Sequence, residues 1–480
     1  MGIVVQAGQI NTQSLLAPGA IVQIQPPSQL LINGVPSDIL GIVGVASWGP
    51  LNTPIICGSL NEGVLNFGTP FNRKNDLMSH LYCASLTGAS NFRGVRVSDG
   101  TDIKASKAIL DTTTPTAVTG MTASGLYSGI LGNSIQVTIQ NGSTPNTKRI
   151  IVALPSGLNA GRVPEQFDNI PGTGATLWQN MVDAINVGQN GIRGPSELIR
   201  ATIGTATAAP ANATYTLTGG TDGETVTSSD LIGVDVSPRT GLYVLRGTQC
   251  SCAFVADLDD DTTYAEQEAF GISEGIFIHI TGPVSQTITQ AASAKATAGL
   301  SNYDTKFLVG DWIYFFDTFN GIRRLISPQG FAAGVKVSYN ANESALNKQI
   351  FGIVGTQTTV DGGSYSNADV VFACDNGLDF IYNPSPGGNY FALQTGQNCS
   401  PNPLTRMDSY TTLTNYLAYS IASAIGFYIG QLQNPTIRQQ AKSTLVNFLS
   451  NLFEQGFIGD VNYPNDASRA FKVILDASNN

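Results

Sequence analysis

Few residues in this 480-residue chain are arranged for chemistry. Gly271-Ile272-Ser273-Glu274-Gly275 matches the G-x-S-x-G pattern that presents a hydrolase's nucleophilic serine. That device needs a strand before the serine and a helix after it, so that a tight turn exposes the hydroxyl. Here the apolar spacing predicts the reverse order, helix before and strand after. The two histidines, His80 and His279, are the available bases, and His279 falls inside the strand-like run 276–280. A strand interior is a poor place for an imidazole that must move protons, so no catalytic residue is assigned. Asp257-Leu258-Asp259-Asp260-Asp261 gathers four carboxylates but lacks the spacing and glycine of a calcium-binding EF-hand loop. It reads as a solvated loop whose acids favour the following helix N-terminus. Cys250-Ser251-Cys252 has no second Cys or His pair nearby, which does not suit tetrahedral zinc. Neither a Walker-type phosphate loop nor a G-x-G-x-x-G after a strand occurs. The sequence therefore implies no metal and no cofactor. Trp312, Tyr314, Phe315, Phe316 and Phe319 read as core and interface rather than as a ligand box.

Strand-like segments lie at both ends instead. Residues 17–28 form a short extended run closed by Pro26-Pro27, with Ile21, Val22 and Ile24 as its apolar positions. Near the other end, Phe471, Val473 and Leu475 alternate with Lys472 and Ile474. An unpaired apolar strand templates pairing with another chain. Two such arms suggest strand addition to neighbouring subunits, and so an assembly protein.

The composition agrees. Charged residues make up 12% of the chain, about half the usual quarter. Gly, Ser, Thr, Asn and Gln replace them, a surface suited to burial in a lattice or to a secreted β-rich protein. A net charge of −10 argues against nucleic-acid binding, which needs a basic face; Arg323-Arg324 is the largest basic cluster. The first residues lack the charged and apolar regions of a signal peptide, and no run approaches the roughly 18 apolar residues of a membrane span. The six cysteines, Cys57, Cys83, Cys250, Cys252, Cys374 and Cys399, are scattered and read as buried free thiols in a reducing compartment.

Along the chain, 39–46 is a continuous apolar run, the mark of a strand buried on both faces. Trp48-Gly49-Pro50 is a turn signal. A strand at 54–57, a helix at 76–85 and a strand at 92–97 complete a first α/β segment. From 101 to 230 the texture turns to Thr, Gly, Ala and Asn with short alternating runs at 134–140, 148–154 and 215–218, a β-rich module. One helix interrupts it at 175–187, with Leu177, Met181, Ala184 and Ile185 on one face. Strand–helix alternation then returns: strands at 251–258, 275–280 and 312–316, helices at 263–273 and 290–299, and a helix from about Phe331. Two long helical patterns follow. The first is 404–431, with Leu413, Tyr416, Leu417, Ser420, Ile421, Ala424 and Phe427 in step. The second starts at Pro435 after the capping Asn434 and carries Ile437, Ala441, Leu445, Phe448, Leu449 and Leu452. The fold class expected is a discontinuous α/β (α+β) core with an inserted mainly β domain and strand arms at both termini. Its parts are an N-terminal arm (1–28), the core (29–100 and 231–460), an inserted outer domain (101–230) and a C-terminal arm (461–480).

Several of these segments resemble the tail sheath proteins of contractile injection systems, chiefly of contractile-tailed bacteriophages. They are Pro18-Gly19-Ala20-Ile21-Val22-Gln23-Ile24, Gly41-Ile42-Val43-Gly44-Val45-Ala46-Ser47-Trp48-Gly49-Pro50-Leu51-Asn52 and Phe92-Arg93-Gly94-Val95-Arg96-Val97. Ser327-Pro328-Gln329-Gly330-Phe331-Ala332-Ala333-Gly334-Val335 is similar to the family's "P-P-S-G-x-x-A-G". The likeness continues through the closing helices to Phe457-Ile458-Gly459-Asp460. The family's "W-G-x-R-T" appears only as Ala392-Leu393-Gln394-Thr395-Gly396-Gln397, without Trp or Arg, and no role is carried over for that arginine. The resemblance implies a structural, non-enzymatic subunit of a virion tail sheath. It would form hexameric rings stacked helically around an inner tail tube protein, linked by its arms, and would be assembled in the host cytoplasm. Contraction would drive the tube through the target envelope for genome ejection. Further partners would be baseplate and neck or terminator proteins, with no nucleic acid and no direct membrane insertion. The late core helices would lie near the tube, which selects Arg438 and Lys442, on the polar face of the last helix, as a tube contact. The alternatives are a secreted β-rich adhesin or surface-layer protein, or an α/β hydrolase.

Overall fold

The computed structural model describes residues 4–7, 21–24, 32, 34–431 and 434–475. The chain forms two compact units, one of residues 36–413 and one of residues up to 35 with 414 onwards. The closing helical region, expected within the core, thus falls mostly in the second unit.

The first unit is organised by a seven-stranded sheet. Its order is Leu378–Asp379, Thr305–Leu308, Phe277–Thr281, Cys252–Val255, Ile39–Gly44, Asn91–Arg96 and Pro54–Cys57. All neighbours pair in parallel except the edge strand Pro54–Cys57, which is antiparallel to Asn91–Arg96. Parallel sheets are covered on both faces and so read as unbroken apolar runs; all six residues of Ile39–Gly44 are buried. Ile39 and Val43 join Tyr264, Phe270 and Ile288 of the helices Tyr264–Glu274 and Ile288–Ala298 on one face. Leu40 and Ile42 join Val64, Phe67, Leu81 and Ala333 of the helices Leu60–Phe67, Leu77–Leu86 and Gln329–Ser338 on the other. Alternate residues of one strand therefore feed two cores.

Two core strands are not foreseen in the sequence. Thr305–Leu308 carries Lys306, and Leu378–Asp379 has two residues, so neither shows an apolar signal. The helix Leu60–Phe67 is also unforeseen, although Ser59 caps it by accepting from Glu62 N.

Within 101–230, Glu165–Ile170, Lys148–Ala153, Gln136–Asn141 and Ala213–Thr216 form one antiparallel sheet. Ile199–Ile203, Thr119–Gly125 and Ser106–Leu110 form another. The helix Gly174–Asn186 buries all four of its foreseen apolar residues against them. Trp48, read as part of a turn, is buried in this cluster and meets Tyr127 edge-on at 5.4 Å.

A separate three-stranded sheet, Ile322–Ile326, Ile313–Asp317 and Ile353–Thr356, places adjacent arginines on opposite faces. Arg324 is buried and donates to Phe71 O, Ser79 Oγ and Asp317 Oδ2, at 2.8, 2.9 and 3.2 Å. Arg323 stacks over Tyr314 at 4.6 Å. In the aromatic run, Trp312 and Phe315 are buried while Phe316 and Phe319 are exposed.

In the second unit the helix Pro435–Glu454 starts as expected. Asn434 Oδ1 accepts from Ile437 N at 2.9 Å, Pro435 occupies the first turn, and Gly456 follows the end at φ 74°. Ala441, Leu445, Phe448 and Leu452 are buried, whereas Ile437 and Leu449 are half-buried. The preceding helix is shorter than expected, Asp408–Gly426 rather than 404–431. Before it, the Asn398 side chain holds a loop by donating to Thr405 O and Met407 O. After it, Tyr428 N turns back to Ile425 O.

Candidate functional site

The residues that could do chemistry are absorbed by the fold. Ser273 sits near the end of the helix Tyr264–Glu274, and its hydroxyl donates to Phe270 O at 3.0 Å. No strand-to-helix turn presents it. His279 is fully buried in the strand Phe277–Thr281. Burial and the nearby Lys306 and Lys336 ammoniums push its pKa well below the ordinary imidazole value.

Open parallel sheets bind ligands outside the carboxyl ends of their strands, where the strand order reverses. Here that point lies between Ile39–Gly44 and Cys252–Val255, because the chain winds outward from them in opposite directions. The crevice is filled from within. Asn75 Nδ2 donates to Ala256 O at 2.8 Å, and Asn75 N to Asp257 Oδ2 at 3.2 Å. His80 Nε2 lies 2.9 Å from Asp257 Oδ1, which also accepts from Ser327 N at 3.1 Å. Gln329 joins Asp257 N to His279 O through its two side-chain ends. All these side chains are buried. Burial would raise the Asp257 carboxyl, but His80 and the Ser327 hydrogen bonds more than offset it and hold its pKa at about 2. His80–Asp257 is thus a buried pair inside the filled crevice. Two other acids of that run are engaged as well: Asp259 pairs with Lys74 at 2.7 Å, and Asp260 caps the turn at Thr262. Among the described residues no three His, Cys, Asp or Glu side chains gather as a metal site. Five of the six cysteines are buried and Cys374 is half-buried; all are free.

A second buried polar group roots the helix Asp408–Gly426. Lys306 Nζ lies 2.5 Å from Asp379 Oδ2 and 3.5 Å from Asp408 Oδ2, with all three side chains fully buried. Asp379 also accepts from the backbone N–H of Phe380, Thr395 and Gly396. The last two belong to the segment where the family arginine is missing. Asp408 accepts from Ala345 N at 3.2 Å. Thr411 and Thr412 donate to Tyr303 O and Ala341 O, each at 2.6 Å. Burial disfavours the Lys306 ammonium, but Asp379 and Asp408 more than offset it, so its pKa lies above the ordinary lysine value. Lys336, whose Nζ donates to Glu343 O, has its pKa lowered by burial. Sequence reasoning missed this cluster because its members are separated by up to about a hundred residues. The one local signal is a lysine preceding Phe307-Leu308-Val309.

The residues named for assembly all belong to the other compact unit. Ile21, Val22 and Ile24 belong to the strand Ile21–Ile24, which pairs in parallel with Val4–Ala7 in the register Val4↔Ile21 to Ala7↔Ile24. Phe471, Val473 and Leu475 follow the short helix Ala467–Ala470 and belong to no strand; Phe471 is extended, with φ −155° and ψ 158°. Ile474 and Leu475 are exposed. Arg438 is half-buried and Lys442 exposed on the helix Pro435–Glu454. No helix among the described residues is long and apolar enough to cross a membrane.

No protein-family model matches the chain. A curated relative, the tail sheath protein of Burkholderia phage BcepMu, is 23% identical over 293 residues, or 57% of this chain. The match spans 58% of that relative's length. Among solved structures, a sheath tail protein of Desulfitobacterium hafniense shares the fold with a TM-score of 0.61 at 14% identity, over 93% of this chain and 91% of that one. A sheath tail protein of Listeria innocua does so with a TM-score of 0.63 at 15% identity, over 91% and 88%. The PVC sheath complex of an extracellular contractile injection system, in its contracted state, gives 0.50 at 12% identity, over 94% and 85%.

Proposed function

We propose that this chain, which has the fold of the contractile tail sheath proteins, is the repeating subunit of a contractile sheath. The observation that carries the proposal is the extent of the likeness: more than nine-tenths of the chain follows the fold of two solved sheath tail proteins. The filled crevice at the strand-order reversal supports a structural rather than a catalytic role. In this reading 1–28 and 461–480 are arms, 101–230 is an outer domain, and the remainder is the assembling core. The two-stranded sheet Val4–Ala7 with Ile21–Ile24 is marginal alone in water and calls for further strands. Residues 471–475, which belong to no helix or strand, are of the kind a neighbouring copy would pair with. Rings of copies would surround an inner tube, be closed by baseplate and terminator proteins, and contract into a state with more buried inter-subunit surface. Such a motor needs no nucleotide.

Electron microscopy of the purified chain tests this directly. Long tubes are expected, whereas discrete particles or flat lattices overturn it. Deleting 1–28 or 466–480 should leave folded protein that does not polymerise, and normal tubes from either truncation would refute the arm assignment. Replacing 101–230 with a short Gly/Ser linker should preserve assembly. Arg438→Glu with Lys442→Glu should weaken co-sedimentation with the inner tube at low salt but spare sheath-only polymers, because an exposed ionic contact is weak and screened. Unchanged tube binding would refute that grip.

A further inference from the structure

Most cations of the 36–413 unit are occupied by acids, backbone carbonyls or aromatic rings. Lys295 and Arg406 are different: both are half-buried, both line one cavity of about 170 Å³, and neither forms an ion pair among the described residues. Three separate elements bring them together. Lys295 comes from the last turn of Ile288–Ala298, and Arg406 from the loop before Asp408. Cys374, Asp375 and Gly377 come from the end of the helix Asn367–Asp375, and Ser400 completes the wall. The floor is kept open by Gly377, at φ 61°: a Cβ there would stand 3.4 Å from Lys295 Nζ and 3.0 Å from Asn398 O. A lysine in a last helical turn also complements the helix's carbonyl end. That accounts for Lys295 but not for Arg406, which belongs to a loop.

We propose that this pocket receives a carboxylate side chain from a second copy of the chain, held between the Lys295 ammonium and the Arg406 guanidinium. A guanidinium fork and a point cation around a small concave site suit a single carboxylate. The occupant follows from charge: each copy carries −10, so the surface a neighbour presents is richer in acids than in bases. The proposal rests on the reading of the chain as a self-assembling subunit and adds a contact in the core domain, away from the arms.

The test uses polymers assembled from an equal mixture of ¹⁴N- and ¹⁵N-labelled full-length chains. A zero-length carbodiimide reagent should join Lys295 to a carboxylate of the other isotope. Lys295→Gln with Arg406→Gln should leave the thermal melt of the unassembled chain unchanged and raise the lowest polymerising concentration about tenfold. The wild-type threshold should rise between 0.05 and 0.5 M salt more than the variant's does. An equal threshold for both proteins, with Lys295 linked only within its own chain, overturns this contact alone. Wild-type chains that form no polymer overturn the sheath reading and this contact with it. Inorganic phosphate bound by the unassembled chain through Lys295, with no effect on assembly, assigns the pocket to a free anion and refutes the subunit contact.

Discussion

Lys306→Met removes the cation between two buried carboxylates while keeping the length and apolar stem of the side chain. Lys306, Asp379 and Asp408 are all fully buried. Breaking a buried pair from one side leaves uncompensated charge and costs about 3–5 kcal/mol. The three backbone N–H groups on Asp379 and the one on Asp408 retain part of the compensation. The low end, about 3 kcal/mol at pH 7, is therefore expected. The chain's three tryptophans, Trp48, Trp178 and Trp312, are all buried in the 36–413 unit, so their fluorescence reports its unfolding. With a urea slope of roughly 3 kcal/mol/M, the midpoint should fall by about 1 M. The pH dependence separates this explanation from simple repacking. Lys306 has a folded pKa above its unfolded value near 10.5. The stability it contributes is fully present below that unfolded value and is lost as pH rises through the folded one. Between pH 5 and 9 the wild-type contribution is therefore constant. The variant's deficit should be the same at pH 5 and 9 and shrink only as pH rises through the folded lysine value, where the wild type loses the charge as well. A loss under 1 kcal/mol at pH 7, or a deficit that does not shrink in alkali, would refute the reasoning.

Burial raises the thiol pKa of Cys57 and Cys250 to about 11, and of Cys252 and Cys399 to about 12. A disulfide reagent at pH 8 should therefore label the half-buried Cys374 first and the rest only on unfolding; two or more fast-reacting thiols would contradict this. In the β-rich module, a Cβ on Gly120 would lie 2.2 Å from the Trp178 ring, inside van der Waals contact. Gly120→Ala should destabilise the module by about 1–3 kcal/mol and speed its proteolysis; an unchanged cleavage rate would count against the packing described.

Local physics was legible where it acts alone. The apolar run from Ile39 announces a strand covered on both faces, because only such a strand needs apolar residues at every step. Asn434 and Pro435 announce a helix start, because the cap satisfies orphan N–H groups within four residues. The face of Gly174–Asn186 is likewise written in its own spacing. In Asp408–Gly426 the apolar spacing misleads: the first two turns bury Asp408, Thr411 and Thr412, while Leu413, Leu417 and Ile421 stay half-buried. The polar residues go inside because Ala341, Ala345 and Tyr303, from distant segments, offer backbone partners there. The same holds for Lys306, whose strand exists only because Phe277–Thr281 and Leu378–Asp379 flank it and whose charge is tolerable only beside Asp379 and Asp408. The doubly covered strand from Ile39, the cap at Asn434 and the face of Gly174–Asn186 depend on neighbours within a few residues, so the sequence alone determines them. Buried ion pairs and the filling of the sheet's crevice depend on which remote segments meet, and only the tertiary structure decides that.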